Sequence, residues 1–201
     1  SFKVFKYLTI SPSFNYQERW YTSKLKKEWD DNYVQYTATD TIVGGVRIDT
    51  VGQFSRVYNY SFGVSASTKI YGMFRFRSEA LKAIRHVITP TVSYSLTPDF
   101  SAEKYGYYGT YKKNSDGDLA TYSYFEKGIY GVPSSQRQSS LSFSIGNNLE
   151  AKVRSKTDTV TGTKKIKLIE NLSINGSYNF AADSLKMSLI NVSGYSTILN
   201  R

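Results

Sequence analysis

Apolar and polar side chains alternate along almost the whole of segment 2–20. The even-numbered positions carry most of the apolar side chains and the odd-numbered positions most of the polar ones. A period of two indicates an extended strand with one apolar face, because successive side chains of a strand point to opposite sides. Strands of soluble proteins typically have about 5–6 residues, whereas a strand that crosses a membrane needs about 9–11. The length of the pattern therefore favours a membrane-crossing strand.

The apolar face of this strand is interrupted by charge only near its ends, at Lys6 and Glu18. We expect these two residues to lie at the two membrane interfaces, where a charge costs little. Segment 8–16 would then cross the bilayer. Pro12 lies on the apolar face and cannot donate a hydrogen bond to a β-ladder, so it predicts a local kink or bulge.

Five more segments are predicted to be strands: 54–71, 86–96, 137–153, 166–180 and 189–199. The first four show the same alternation, whereas the last alternates poorly and its facing stays open. The second face of the first two is small and polar, which suits a water-filled lumen better than a packed core. Its residues are Ser61, Gly63, Ser65, Ser67, Thr91, Ser93 and Ser95.

The connections between these strands are predicted to be long at 22–53 and 97–136, and short at 72–85, 154–165 and 181–188. A small hairpin is expected around 34–37 and 46–49, a helical turn at 78–81, and a turn at 116–118. Bacterial outer-membrane barrels have long extracellular loops and short periplasmic turns. The sequence therefore predicts an all-β fold: an antiparallel transmembrane β-barrel segment of about six long strands with two long extracellular loops.

Six strands cannot close a membrane barrel, since the smallest have eight. Each unpaired backbone group at an open edge costs several kcal/mol in hydrocarbon. The chain starts directly in strand-like sequence and ends on Leu199-Asn200-Arg201, without a terminal aromatic residue. We therefore expect residues 1–201 to be an internal fragment of a single larger outer-membrane β-barrel domain.

Composition excludes several other classes. A mean hydropathy of -0.41 and the lack of any run approaching ~18–20 apolar residues exclude a helical membrane protein. Without cysteine, disulfides and thiolate metal sites are impossible. The net charge of +10 suits nucleic acid, anionic lipid or phosphorylated glycans. Because the aromatic residues share a face with Val, Leu and Ile while the basic residues gather in loops, no nucleic-acid partner is expected.

The residues available for catalysis are few. The single histidine, His86, lies at a predicted strand start beside Arg85. Asp30-Asp31 and Asp116-Gly117-Asp118 have the spacing of turn residues, and the second lacks the later ligands of a calcium loop. There is no Gly-rich phosphate motif. The sequence predicts that the protein is not an enzyme and needs no cofactor or metal.

The register of the first two strands can be predicted from an ion pair at the outer rim between Glu18 and Arg56. Apolar partners then coincide along one face, as cross-strand pairing favours. The implied pairs are Tyr16 with Tyr58, Phe14 with Tyr60, and Ile10 with Val64.

Three segments, at 83–90 (AIRHVITP), at 147–153 (NNLEAKV) and from 171 to 184 (starting NLSI and ending SYNFAADS), carry a family resemblance. In order and spacing they resemble the barrel of LptD, the lipopolysaccharide-assembly protein of the Gram-negative outer membrane, in its Bacteroidota form. The resemblance implies a large multi-pass barrel plugged by an LptE-like lipoprotein. It also implies a periplasmic β-jellyroll that receives lipopolysaccharide from the Lpt bridge proteins.

In such proteins the lipid leaves through a gate between the first and last strands while its sugars pass through the lumen. The chain has no recognisable jellyroll, and no gate residues can be carried over. From their predicted facing alone, Lys3, Arg19 and Lys69 are hypothesised to contact phosphates of the cargo inside the lumen.

Two other function classes stay open. One is a different outer-membrane barrel, a porin or a receptor, which a plug domain elsewhere in the protein would favour. The other is a soluble β-protein that binds glycans through exposed Tyr and Trp, although the predicted strands are long for that class. Heat-modifiable migration on a gel after detergent extraction would favour any barrel over the soluble protein.

Overall fold

A computed structural model describes residues 1–36, 41–155 and 162–197, and within them the chain is built from antiparallel β-strands. A short 3₁₀ turn lies at Glu103–Tyr105. No helix among the described residues is long and apolar enough to cross a membrane. The strands are β1 (Phe2–Val4), β2 (Leu8–Tyr36), β3 (Thr41–Ser67), β4 (Ile70–Arg75), β5 (Leu81–Thr97), β6 (Tyr108–Lys112), β7 (Leu119–Ser123), β8 (Gln138–Arg154), β9 (Thr163–Asn179) and β10 (Asn191–Tyr195).

The chain divides into two compact units. The first, which we call the sheet unit, comprises Ser1–Phe14, Phe62–Leu96 and Gln138–Arg201. The second, which we call the hairpin unit, comprises Asn15–Ser61 and Thr97–Arg137. Strands β2 and β3 contribute residues to both.

The main sheet has the strand order β1-β2-β3-β5-β8-β9-β10, with β4 also paired to β5. Its first and last strands, β1 and β10, do not pair with each other within the described residues, so the sheet is open. The expectation of an all-β antiparallel fold is confirmed. A closed barrel is not formed, and the number of strands differs from the six predicted.

Strands β8 and β9 lie close to their predicted bounds, because most positions on one face of each strand are apolar. They pair from Ser140↔Asn179 to Arg154↔Thr163, with irregularities after Asn147 and Leu149. The other long strand of the sheet unit, β5, starts at Leu81, five residues before its prediction. The final strand is shorter than predicted and ends at Tyr195, while positions 198–199 lie outside the described residues.

The predicted first strand, 2–20, is interrupted by a reversal at residues 5–7. Phe5 and Lys6 adopt positive φ angles of 50° and 70°, and β1 folds back so that Lys3 faces Thr9 and Val4 faces Leu8. Alternation alone missed this turn, because the odd and even positions keep their faces on both sides of it.

The predicted loop at 22–53 is wrong. Strand β2 continues to Tyr36 and β3 starts at Thr41. The high charge of the segment favours a loop, yet its charges also follow a period of two. Lys26 pairs with Glu28 at 2.5 Å and Arg47 with Asp49 at 2.9 Å, each on one face of its own strand. Side chains point alternately to the two faces of any strand, so a strand that is exposed to water on both faces can be polar throughout.

The predicted strand 54–71 also breaks, at Thr68 and Lys69. The register on β5 does not shift across the break, since Ser67 pairs with Thr91 and Ile70 with Ile88. The missing rung lies opposite Pro90, which has no N–H to donate. Thr68 N still donates to the Pro90 carbonyl at 3.2 Å, so the two strands stay joined there.

The predicted connection at 72–85 is mostly strand, because β4 runs to Arg75 and β5 begins at Leu81. The helical turn expected at 78–81 is absent from these described residues. Phe76 N instead donates to the Lys82 carbonyl at 2.9 Å, which closes the short loop between β4 and β5.

The predicted loop at 97–136 folds into the hairpin β6–β7 and packs within the hairpin unit. Its tip contains the turn predicted at 116–118, with Gly117 at φ 87°. The core of the unit is aromatic. Phe100, Tyr107 and Phe125 from this segment are buried together with Tyr21 of β2 and Val57 of β3.

Candidate functional site

One face of the sheet unit is covered by serine, threonine, asparagine and glycine, and we call it the hydroxyl face. Direct partners in an antiparallel sheet share a face. On β3 and β5, Ser65 pairs with Ser93 and Ser67 with Thr91. The same composition continues across three more strands, which the sequence alone had not predicted. The members there are Ser140, Ser142 and Ser144 on β8, Ser173, Asn175 and Ser177 on β9, and Asn191 and Ser193 on β10.

Hydrogen bonds between side chains link the strands of the hydroxyl face. Ser93 Oγ donates to Ser65 Oγ at 3.0 Å, and the hydroxyls of Ser95 and Ser140 are hydrogen-bonded to each other at 2.9 Å. Further along, Ser144 Oγ donates to Asn175 Oδ1 at 2.6 Å. Each hydroxyl can both donate and accept, so the face remains able to bond water or sugar hydroxyls.

The opposite face of the sheet unit is apolar and exposed. Phe62 pairs with Leu96, Val64 with Tyr94, and Ile145 with Ile174. Phe62 is 49% exposed, Val92 45% and Val192 64%. Of the buried residues described, only Ser139 and Ala151 belong to the sheet unit. The apolar face is therefore not the core between two packed layers, and an exposed apolar surface of this kind marks contact with a partner or with lipid.

The structure brings Glu18 and Arg56 together, as their predicted register requires. Arg56 Nε lies 3.1 Å from Glu18 Oε1. The Tyr16 hydroxyl and the Trp20 indole N–H also donate to this carboxylate. These two hydrogen bonds, followed by the charge of Arg56, lower the pKa of Glu18. The carboxylate therefore stays ionised at neutral pH.

A second contact follows the predicted register. The rings of Tyr16 and Tyr58 stack at 6.1 Å between centroids. The pairs Phe14 with Tyr60 and Ile10 with Val64 stay predictions.

The three residues hypothesised to contact cargo differ in their surroundings. Lys3 is exposed and lies opposite Thr9 on the polar side of β1 and β2. In the hairpin unit, Arg19 donates to Asn59 Oδ1 at 2.7 Å and Gln17 Oε1 at 2.8 Å, so its terminal nitrogens are engaged. Lys69 lies in the break between β3 and β4. Because the register on β5 is the same on both sides of that break, the lumen facing of Lys69 stays a prediction.

The hairpin unit contains an aromatic site that sequence analysis missed. Lys27 Nζ binds Glu126 Oε1 at 2.5 Å and lies 5.3 Å from the ring centroids of both Tyr111 and Tyr122. The backbone N–H of Lys27 also donates to the Tyr122 hydroxyl oxygen at 3.2 Å. The sequence signal was the density of tyrosine in 97–136, but the pairing with β2 depends on the tertiary fold.

Burial raises the pKa of Tyr107 and of Tyr108 in the same unit. The Tyr107 hydroxyl accepts a hydrogen bond from Tyr58 N at 3.0 Å, and the Tyr108 hydroxyl donates to the Pro133 carbonyl at 2.5 Å. Both phenols are therefore protonated structural groups that attach the loop segment.

The described residues contain no group of three or more His, Asp or Glu side chains that could hold a metal. His86 Nε2 lies 3.1 Å from Asn147 Oδ1, across β5 and β8. This contact gives the histidine a structural partner and supplies no acid–base or nucleophilic pair.

Comparison with known proteins gives one match. The model of the family described as "LptD protein" matches residues 1–201. No curated protein and no solved structure matches the chain. The family match supports a general role in lipopolysaccharide transport and assembly at the outer membrane. It covers the whole chain, and the all-β antiparallel sheet agrees with it. The chain therefore belongs to the LptD protein family.

Proposed function

We propose that this chain forms part of the wall and lumen lining of the outer-membrane translocon that inserts lipopolysaccharide into the outer leaflet. The observation that carries the proposal is the division of the sheet unit into an exposed apolar face and a continuous hydroxyl face. Lipopolysaccharide is itself divided into acyl chains and hydrated sugars. A wall with these two faces separates lipid from an aqueous path.

The apolar face suits contact with acyl chains, because the antiparallel ladder satisfies the backbone groups that hydrocarbon cannot bond. The hydroxyl face suits passage of sugars. Its side chains are small, and each can exchange a bond to a neighbouring hydroxyl for one to a passing saccharide. Such exchange keeps the free energy of sugar contact close to that of water contact.

The orientation follows the rule for bacterial barrels, with long connections outside and short turns in the periplasm. On this basis the hairpin unit is extracellular, and the turns after β4 and β8 are periplasmic. Glu18 and Arg56 then lie at the outer interface. The open edges at β1 and β10 are completed by further strands of the same domain, of which this chain would be an internal part.

The partners proposed for the chain are lipopolysaccharide, outer-membrane lipid, an LptE-like plug lipoprotein and the periplasmic Lpt bridge proteins. Lys3, Arg19 and Lys69 remain candidate contacts for the phosphates of the cargo. Replacing all three with Gln tests this contact. Unchanged lipopolysaccharide export in the triple variant would remove it.

The test of the proposed function uses neighbouring positions on opposite faces of β5. Ser93→Phe places a bulky ring on the hydroxyl face, where Ser142 and Ser144 line the same shallow groove. Val92→Phe places the same ring on the apolar face. The full-length protein is expressed as the only copy, and new lipopolysaccharide at the cell surface is measured by pulse labelling. We expect a severalfold loss for Ser93→Phe and little change for Val92→Phe.

Other results would redirect the assignment. If Ser93→Phe changes the flux of small solutes but leaves lipopolysaccharide export normal, the chain belongs to a porin or receptor. If both variants leave lipopolysaccharide export normal and the protein lacks heat-modifiable migration, the result supports a soluble glycan-binding β-protein. The broad exposed apolar face weighs against that class.

A further inference from the structure

A cavity near the end of β4 and the end of β8 is lined largely by cationic residues, and we call it the cationic cavity. Its volume is about 430 Å³. The charged residues that line it are Arg75, Lys82, Arg85, Lys152, Lys165 and one carboxylate, Glu150. All belong to the sheet unit.

Four strands position these side chains. Arg75 on β4 lies opposite Ala83 on β5, and Arg85 Nε lies 3.8 Å from Glu150 Oε2 on β8. Lys152 on β8 lies directly opposite Lys165 on β9. The charges converge because of cross-strand register, since Arg85 and Glu150 are far apart in sequence.

The cavity lies on the same side of the sheet as the hydroxyl face. The Arg85–Glu150 contact continues the cross-strand alignment that joins Ser95 to Ser140. The register between β8 and β9 shifts twice, and both extra residues lie on β9. The side chains at the even positions of β8, from Ser140 to Lys152, therefore stay on one face. Cations thus border the hydroxyl face at its turn end.

Positive charge in the cavity is not balanced. Arg85 has a carboxylate within reach, whereas Arg75, Lys82, Lys152 and Lys165 form no ion pair among the described residues. Lys152 and Lys165 are like charges in direct cross-strand contact, an arrangement that destabilises a sheet. An anion in the cavity would relieve this repulsion.

We propose that the cationic cavity binds a phosphate ester of a phosphorylated saccharide. A phosphate carries about −1.5 to −2 charges, and arginine binds it through two parallel hydrogen bonds while lysine adds a point charge. Arg85 is supported by the ring of Tyr71, whose centroid lies 5.9 Å from its guanidinium carbon. The volume falls within the roughly 300–1,000 Å³ of small-ligand sites, so it accommodates a sugar together with its phosphate.

The source of that phosphate rests on the proposed function, under which it is the headgroup of the transported glycolipid. A soluble phosphate has the same chemistry, so the experiment includes both. Three probes are used: inorganic pyrophosphate, a phosphorylated acylated disaccharide, and the same acylated disaccharide without phosphate.

Binding is measured by titration calorimetry on the full-length protein in detergent. The test variant combines Arg75→Gln, Lys152→Gln and Lys165→Gln. A control with the same change of charge, Lys112→Gln, Lys113→Gln and Lys127→Gln, lies in the hairpin unit. We expect the Kd for pyrophosphate to rise about tenfold or more in the test variant and less than twofold in the control. Heat-modifiable migration verifies that both variants fold.

The single variant Lys152→Gln gives a second readout that needs no ligand. It removes the repulsion with Lys165, so we expect a higher melting temperature without anion and a smaller increase when pyrophosphate is added. Lys113→Gln, at an exposed pair with Asp118, should show neither effect.

The outcomes separate the two proposals. Equal affinities for pyrophosphate in the test and control variants would overturn the anion site. Phosphate-dependent binding of the glycolipid that is weakened in the test variant supports a lipid headgroup as the ligand. If only pyrophosphate binding is weakened, the site takes a soluble phosphate. Lipopolysaccharide at the surface of cells carrying Ser93→Phe tests the translocon assignment independently.

Discussion

Replacing Phe100 with alanine should release the segment 97–137 from the hairpin unit. Phe100 is 0% exposed, and its ring lies 5.5 Å from that of Tyr60 and 4.9 Å from that of Tyr105. Its backbone N also donates to the Ser134 carbonyl at 3.1 Å. The ring is therefore a buried contact through which this segment packs against β3, beside the contacts of Tyr105 and Tyr107 with the same strand.

The magnitude follows from the loss of a fully buried aromatic side chain. A buried Phe→Ala change costs about 3–5 kcal/mol, which includes the cavity left behind. Since 1.4 kcal/mol corresponds to a tenfold change, the open form of the segment should rise roughly 10²- to 10⁴-fold. The sheet unit contributes no side chain to this cluster, so its ladder should stay intact.

Limited proteolysis measures the open population. When opening and closing are fast compared with cleavage, the cleavage rate follows the fraction of open molecules. Cleavage within 97–137 should therefore accelerate strongly in Phe100→Ala, while heat-modifiable migration stays normal. Leu119→Ala is the matched control, because Leu119 is 67% exposed on β7 and surface changes usually stay within about 0.5 kcal/mol. Equal cleavage of Phe100→Ala, Leu119→Ala and the unmodified protein would refute the packing described here.

Three further predictions concern charged and titratable groups. The lowered pKa of Glu18 stabilises the fold at pH values above its unfolded pKa of 4.5, and this contribution is lost as pH falls through the folded pKa. Glu18→Gln should therefore lower the melting temperature at pH 7 but not at pH 2. The raised pKa of Tyr107 stabilises the packing of segment 97–137 below the unfolded value of 10.0, and this contribution is lost as pH rises through the folded pKa. Protection of the segment from an alkali-stable protease should therefore fall above that pH, and it should fall less steeply in Tyr107→Phe. Lys27→Met removes an ion pair and two ring contacts from a side chain that is only 13% exposed. It should lower the free energy of unfolding by about 1–3 kcal/mol, measured by urea unfolding with protease cleavage of segment 97–137 as the signal. Lys26→Met should lower it by less than about 1 kcal/mol.

Where apolar alternation was continuous, the sequence predicted the fold closely. The bounds of β8 and β9 fall within a few residues of the prediction, because both strands keep an apolar face along their length. The turn at Asp116-Gly117-Asp118 was also predicted, since glycine adopts the positive φ angle that the tip of β6–β7 requires.

Where the sheet extends beyond its apolar part, the prediction failed. The far ends of β2 and β3 alternate in charge, and the i, i+2 pairs Lys26–Glu28 and Arg47–Asp49 are the local signal that was available. The break at Thr68 has no local signal at all. It depends on Pro90, which belongs to the neighbouring strand.

The candidate site was predicted only in part, because features within one strand or hairpin can be seen in the sequence and alignments of distant strands cannot. The small polar positions of β3 and β5 were visible within each strand, and their pairing through Ser65 and Ser93 follows from the hairpin. The cationic cavity was not visible, because it requires the alignment of β5 with β8, two strands separated by the whole segment 97–137.

The proposed assignment of the apolar face to lipid and of the hydroxyl face to water can be measured directly, because the chain contains no cysteine. Ser93→Cys and Val92→Cys place single thiols at adjacent positions on opposite faces of β5. In intact outer membranes, a water-soluble maleimide should label the thiol at position 93 rapidly and the thiol at position 92 only after denaturation. Equal labelling at the two positions, or faster labelling at 92, would contradict the account.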